Sequence, residues 1–558
     1  MSLSEDVCST TSIDPSTNTA RPAESAPVQL EYRSYGSQAA EVFWIVLVMF
    51  VYAGGVSPDV NEPHYLGKAK HFWDATYCSG DFFYESQDAH AVFFWTFGQL
   101  THWLSLPAAS WVGRILGWTL LATAWYRLSN ELIPRRGISL LTAALWITLV
   151  DRGQMSGEWI LGGIEAKVVA YAFVVLSVRE MVADRWNRAW VFLGVATAFH
   201  VLVGGWAWLM AGFGIATLPS SRRPSFRSFW VGALIGLSVS MVALIPAIQL
   251  SNGVSTETVR QANLIYVFHR LSHHLLIRDF PVGFVVRHML LVLIFLWLWR
   301  MFREVPRIRC LFGFCGGGVA MMVVGALLDV LFGHTSFGMS WLRFYWFRAT
   351  DVFTPAAVSL GLVYWMVYRI RSVASYTRIA GIALAGAVLL NLVWTVAVAR
   401  SHRISPADWQ SGITSVEQLR DWRDVCQWVE RSLPNQAMFL TPGIQTFKWY
   451  AHRPEIVSWK DVPQDAKHIV EWSERVRAVR RWNASTTADD SAARLEQLHA
   501  DYGFDFIVTQ WPRQFSDPGW HPIFQNAHYV VLAKLLLPSS SSGPPNDVHQ
   551  EVENAETP

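Results

Sequence analysis

The residues that could do chemistry sit in four polar stretches separated by long apolar ones. The first reads Ser57-Pro58-Asp59-Val60-Asn61-Glu62-Pro63-His64-Tyr65, with Asp74, Asp81, Glu85 and Asp88 behind it. The second holds Asp151, Arg152 and Glu158, then Gly162-Gly163-Ile164-Glu165-Ala166-Lys167. The third carries Arg260, His269, Arg270, His273, His274 and Arg278. The fourth has His334 and Arg343, with Arg348 and Asp351 entering the next apolar run. A carboxylate in such a set can take a proton from a hydroxyl. Arginines can hold phosphate or diphosphate oxygens through paired hydrogen bonds. Carboxylates from one stretch and cations from the others, gathered in one cleft, suit transfer of a sugar from a lipid-phosphate carrier at a membrane surface.

Each of these residues also has a plainer reading. Asp59 and Glu62 can be solvated loop carboxylates. Glu165 stands where a helix begins, a favourable place for negative charge, and Lys167 can pair locally or reach toward the interface. His269 and His273 have the i, i+4 spacing of a metal pair, but no carboxylate stands at a matching interval, and an interfacial helix serves as well. Arg348 and Asp351 are i, i+3 and by default pair with each other on one helix. The five cysteines, Cys8, Cys78, Cys310, Cys315 and Cys426, show neither a disulfide framework nor zinc-type spacing. The pattern demands no cofactor. It leaves a divalent metal at the acidic loop as an open alternative.

The elements that must position these residues are membrane helices. Of the 558 residues, 52% are hydrophobic and 16% charged, against about 25% charged in an average soluble chain. Trp is abundant, at 29 residues, as befits bilayer interfaces. The net charge of +2 gives no reason to expect nucleic acid. A spanning helix needs about 20 mostly apolar residues, and candidates are 40–56, 110–128, 137–151, 165–183, 228–250, 283–301, 310–333, 347–369 and 377–399. Residues 189–218 would make one helix about 45 Å long. Arginines flank that segment at both ends (Arg185 and Arg188, then Arg222, Arg223 and Arg227). Arginine-rich short loops lie in the cytoplasm, so the segment reads as a hairpin of two short passes broken at Gly204-Gly205. The total is about eleven passages. Residues 89–106 are aromatic but carry His90, Gln99 and His102, and are placed in the interface plane or as a re-entrant helix.

Alternation then sets the domains. Residues 1–39, rich in Ser, Thr and Pro, read as a disordered cytoplasmic tail. Residues 40–400 form the transmembrane domain, with a large first outer loop at 57–109. The arginines around 127–136, 185–188, 222–227, 300–309 and 369–378 fall inside. The four polar stretches fall outside, as does everything after Arg400. Residues 401–537 mix helical patterns (415–432, 466–481, 489–501) with strand-like runs at 437–440, 455–458, 505–508 and 529–532, and read as a small α/β domain. Residues 538–558 are a second disordered tail.

A first helix followed by a large outer loop with an acidic motif close behind it resembles the GT-C superfamily of membrane glycosyltransferases. The matching positions are Asp59 and Glu62 in Asp59-Val60-Asn61-Glu62-Pro63-His64-Tyr65. Gly162-Gly163-Ile164-Glu165-Ala166-Lys167, and the stretches Phe439-Leu440-Thr441-Pro442 and Phe447-Lys448-Trp449-Tyr450, look like those of bacterial membrane proteins related to that superfamily. The adjacent Asp-Glu or Asp-x-Asp pair usual in the family is absent. The resemblance implies a polytopic helical membrane protein of the bacterial inner (plasma) membrane, N-terminus inside and α/β domain outside. It implies an inverting transferase that moves a sugar from a polyprenyl-phosphate donor to a glycan, lipid or protein acceptor. Glu62 or Asp59 would be the base, and Arg270, Arg278, Arg343 and Arg348 the donor-phosphate ligands. His64, Glu158, Glu165, Lys167 and Asp351 would line the cleft. Two other readings compete. A transporter or flippase would use the broken hairpin as a binding site, although no inverted repeat is visible. A non-catalytic scaffold with an external binding domain would leave Glu62, Glu165 and the arginines apart in space.

Overall fold

The computed structural model describes residues 35–368, 374–401, 403–512 and 519–534. The tail read at 538–558, the arginines at 369 and 371, and residues 1–34 of the tail read at 1–39 lie outside them, whereas residues 35–39 of that tail begin the first helix. Among the described residues six helices are long and apolar enough to cross a membrane: Tyr35–Ala53, Trp230–Gln249, Val282–Met301, Pro306–Phe332, Arg348–Tyr368 and, within Ala374–Ser401, residues 381–398. Between and beside them pack Leu106–Leu132, Ile138–Gly153, Ala166–Val182, Trp186–Phe199 and Val201–Thr217. The chain is a helical polytopic membrane protein.

Burial separates the roles of these helices. Leu234, Ile245 and Ile248, and likewise Leu290, Leu293 and Trp297, are exposed. In a bilayer that costs nothing, because lipid tails are as apolar as leucine. Ala166–Val182 is instead buried on nearly every side and forms the centre of the bundle. Trp125 and Trp146 stack there at 4.1 Å between ring centroids, and the Trp146 indole N–H donates to Val352 O at 3.0 Å. A buried Trp N–H usually finds such a partner.

The hairpin read at 189–218 exists, but its break is elsewhere. The chain turns at His200, whose extended backbone (φ −149°) ends Trp186–Phe199 and caps Val201–Thr217, its ring accepting from Val203 N at 3.3 Å. Gly204 and Gly205 lie inside the second helix. Gly204 is there for closeness, since a Cβ on it would sit 2.2 Å from Thr197 N. Residues 89–106 form only short helical pieces, Ala91–Trp95, Phe97–Gln99 and Leu100–Trp103, none long enough to span.

The C-terminal region carries a four-stranded mixed sheet of β1 (Phe439–Leu440), β2 (Phe506–Gln510), β3 (Trp520–Gln525) and β4 (Tyr529–Lys534), in the order β1-β2-β4-β3. β1 and β2 are parallel and the other pairs antiparallel. The two-residue period of a strand splits its core. Val508, Tyr529 and Val531 face helix Val416–Ser432, while Ile507, Val530 and Leu532 face Ala466–Asn483 and Ala488–Tyr502. The strand read at 455–458 is reduced to one bridge, Phe439 to Glu455. β3 was not read from sequence. Phe82, Ala262 and Ile265, from two loops of the bundle, join the second half of this core, so the domain is packed onto the bundle's loop-rich end.

Candidate functional site

Three elements bring the polar residues together at that end: helix Glu62–Trp73 of the first long loop, the 154–165 loop leading into Ala166–Val182, and the start of Arg348–Tyr368. Glu62 and Asp59, three residues apart, fare differently. Glu62 is fully buried. Its Oε1 accepts from Arg114 Nε at 2.8 Å and Ile164 N at 3.0 Å; its Oε2 accepts from Arg114 Nη2 at 2.6 Å and Asp59 N at 2.7 Å. The remaining arginine nitrogen, Nη1, donates to Gly55 O. Glu62 is a saturated strut that ties the first loop to helix Leu106–Leu132 and to the glycine loop. Gly163 must be bare for this, because a Cβ there would meet Glu62 Cγ at 2.5 Å and Asp59 Cβ at 2.7 Å.

Asp59 is only half-buried. Its Oδ1 accepts from Val60 N at 2.6 Å, and its Oδ2 has no hydrogen-bond partner among the described residues. Burial, then the neighbouring Glu62 carboxylate, push its pKa up to about 6, with Glu165 adding in the same direction and Arg114 opposing. A carboxylate so placed is ionised at neutral pH yet more basic than an ordinary aspartate.

Beside it runs an alternation of charge. Glu165 Oε2 accepts from Asn61 Nδ2 at 2.9 Å. Lys167 Nζ stands 3.5 Å from both Glu165 and Glu158. Glu158 also takes the Tyr171 hydroxyl at 3.1 Å and faces Arg348 Nε at 3.0 Å. That Nε is off the direction of a hydrogen bond and is buried without one. The Arg348 guanidinium lies 3.5 Å over the Tyr345 ring. Tyr345 holds a left-handed backbone, φ 56°, which is strained for an aromatic residue and typical of functional sites.

Arg348 and Asp351 do not form the expected intrahelical pair. Arg348 goes to Glu158, while Asp351 is fully buried and accepts from Met155 N at 2.8 Å and from Ser156 N and Oγ at 2.9 and 2.7 Å. It fastens the loop that carries Glu158.

The other sequence candidates divide. Arg270 lies beside Trp459, 5.2 Å from the ring, and reaches Lys460 O at 3.4 Å. Arg343 donates to Asn263 at 2.8 Å and lies over Tyr266, whose hydroxyl meets that of Tyr345 at 3.2 Å. Arg278 stands apart, paired with Asp329 and 2.9 Å from His334. His64 turns to Asp461, 3.2 Å away, and burial lowers its pKa. His269, His273 and His274 do not share a helix face. A π-turn at 265–270 ends before a short helix at 272–275, and His274 Nδ1 meets Ser156 O at 2.5 Å. Burial and then Arg348 push its pKa down to about 2, so it is neutral. Among the described residues no three His, Cys, Asp or Glu side chains gather as metal ligands.

Residues 420–479 match a family described as a domain of unknown function, DUF6798. No curated protein matches the chain. Among solved structures it is similar to the apo oligosaccharyltransferase of Archaeoglobus fulgidus (12% identity, TM-score 0.49, covering 85% of this chain and 69% of that one). It is also similar to ArnT from Cupriavidus metallidurans bound to undecaprenyl phosphate (13%, 0.46, 91% and 98%) and to the arabinofuranosyltransferase AftD from Mycobacteria (15%, 0.46, 90% and 40%).

Two groups of residues escaped the sequence reading. Arg114 was the more visible, a lone arginine inside Trp111-Val112-Gly113-Arg114-Ile115-Leu116, and an ionisable residue at membrane depth is a functional candidate by default. The second group is a sealed cluster joining the C-terminal domain to the first long loop. Lys448 Nζ lies 2.8 Å from Asp461, 3.2 Å from Asp81 and 3.3 Å from Glu455, and these carboxylates hold its pKa well above the usual lysine range against burial. No local spacing signals a set drawn from positions 81, 448, 455 and 461.

Proposed function

We propose that the chain is a glycosyltransferase that moves a sugar from a polyprenyl-phosphate donor to an acceptor hydroxyl on the extracytoplasmic face. In this reading it lies in a bacterial inner membrane with about eleven passages and its N-terminus inside. Asp59 is the base that takes the hydroxyl proton as the oxygen attacks the sugar carbon. Glu62 holds Asp59 in place through the backbone. Lys167, Arg270 and Arg348 receive the phosphate that leaves with the lipid. The observation that carries the reading is the contrast between the saturated Glu62 and the open, basic Asp59, which lies near Glu165 at one end of a charged series that runs through Lys167 and Glu158 to Arg348, whose Nε is buried without a hydrogen bond. The convergence of Asn61, Glu165, Lys167, Glu158 and Arg348 speaks against a scaffold, which needs no such grouping. The hairpin that favoured a transporter is broken at His200 and not at Gly204-Gly205.

The test is an incubation of the purified chain in nanodiscs with a panel of polyprenyl-phosphate sugars, each with a labelled sugar. Release of polyprenyl phosphate with the sugar passed to lipid, glycan or protein is expected. Donor that is bound but never consumed, or carried across intact in proteoliposomes, sinks the assignment.

A further inference from the structure

We propose that Lys460, carried by the C-terminal domain, is a phosphate-binding residue of the cleft, so that this domain completes the site for the lipid carrier's phosphate. The inference rests on the transferase reading above, which supplies the lipid phosphate as ligand.

Lys460 and Arg270 are adjacent cations without an acidic partner. Among the described residues no carboxylate stands at ion-pair distance from either. Lys460 Nζ has Gln410 Oε1 at 3.3 Å. Arg270 has one long bond, to Lys460 O, and a buried Nε with no partner. The acid next in sequence to Lys460 does not serve it, because Asp461 turns the other way to Lys448 and His64. Glu165 and Lys167 lie close enough to act on Lys460 electrostatically, Glu165 favouring its charge and Lys167 opposing it. The group is Lys167, Arg270, Arg348 and Lys460 against Glu158, Glu165 and Asp59, so four positive charges minus three negative leave one unbalanced. An excess of this kind, with donors left unbonded, is what a phosphate balances.

The loop is also built to hold still. Trp459 lies between Arg270 at 5.2 Å and Arg480 at 4.1 Å, packs on Trp472 at 5.1 Å, and is followed by Asp461 locked to Lys448. The Trp472 indole N–H donates to Ser458 O at 2.9 Å. Lys460 therefore projects from a fixed base. Burial, then Arg270, push its pKa down to about 8, with Lys167 acting in the same direction and Glu165 and Asp461 opposing. A bound anion reverses that shift.

The test measures binding, by native mass spectrometry and tryptophan fluorescence, of two probes to the full-length chain in detergent: undecaprenyl phosphate and inorganic phosphate. Lys460→Met is expected to weaken undecaprenyl phosphate about 10- to 100-fold, the size of one hydrogen bond between charged groups, and Lys460→Arg to retain affinity. Wild-type affinity is expected to fall from pH 7 to 9 as Lys460 loses its proton, while Lys460→Arg stays flat. Should Lys460→Met fail to fold, the arginine variant and the two pH profiles still decide. Lys460→Met binding as wild type, or a Lys460→Arg profile that falls like the wild type, overturns the proposal. Inorganic phosphate binding as tightly as the lipid overturns the lipid carrier as its source. If Lys460 controls binding but no sugar is ever transferred, the proposal stands and the transferase reading falls.

Discussion

Two charged regions share the loop-rich end of this molecule, and they are built on opposite plans. Around Lys448, three carboxylates close on one ammonium at 2.8 to 3.3 Å, all of it buried, with Glu455 N donating to Asp81 and Thr441 to Glu455. Around Arg348 and Arg270, guanidinium groups lie over aromatic rings with N–H groups unspent, and Asp59 keeps a free oxygen. The residue types are the same. What differs is balance and enclosure: the first region joins two domains around one cation shut in by three acids, with one carboxylate oxygen, Glu455 Oε1, short of a hydrogen bond, while the second leaves groups open on both the acidic and the basic side. The same contrast recurs between Glu62 and Asp59 within three residues of chain.

Variants can break that comparison or sharpen it. The largest effect on stability is expected at Lys448→Met, which leaves three buried carboxylates without their cation. Breaking a buried pair costs about 3–5 kcal/mol, read as a drop in melting temperature of the detergent-solubilised protein. A melt within error of the wild type would show that the sealed region is not a structural joint. Arg348→Met lies in the open region. It is expected to lower donor affinity about 10- to 100-fold with a smaller shift in melting than Lys448→Met; the reverse ranking breaks the contrast.

The pH dependence of transfer is a third test. Asp59 acts only when deprotonated, and its pKa is about 6. kcat/KM is therefore expected to fall about ten-fold per pH unit below 6 and to level off above it. A profile flat from pH 5 to 8 contradicts Asp59 as the base. The smallest effect on donor binding is expected at Arg278→Met. Arg278 is partly exposed but its partner Asp329 is buried, so any cost of the change falls on stability, through the carboxylate left unpaired, and not on donor binding. Donor affinity should stay within two-fold. A larger loss returns Arg278 to the phosphate site.

The membrane part of the fold was legible because bilayer thickness forces long apolar runs, and these survive in the sequence whatever packs around them. The glycines of the hairpin misled because a glycine that admits a close neighbour reads the same as one that breaks a helix. Only the structure shows Thr197 against Gly204. β3 was missed because it is an edge strand, Trp520-His521-Pro522-Ile523-Phe524-Gln525, with a proline and a register shift at Pro522 and Phe524. Edge strands tolerate both. For the site, the acidic loop and the Glu158, Glu165, Lys167 and Arg348 set could be read as outliers near membrane. Which of Asp59 and Glu62 is open could not, because that depends on Arg114 and on the bare Gly163, more than 50 and 100 residues away along the chain. The Lys448 cluster and Lys460 were invisible for the same reason, since each exists only where two domains meet.

The central claim is that Asp59 acts and Glu62 holds. The most direct measurement compares Asp59→Asn with Glu62→Gln, recording sugar transfer and melting temperature on the same preparations. Asp59→Asn should melt as the wild type and lose about 10²- to 10⁴-fold in transfer rate. Glu62→Gln should melt several degrees lower, because Arg114 is left buried without its bidentate partner. An Asp59→Asn protein that transfers sugar at the wild-type rate would contradict the account.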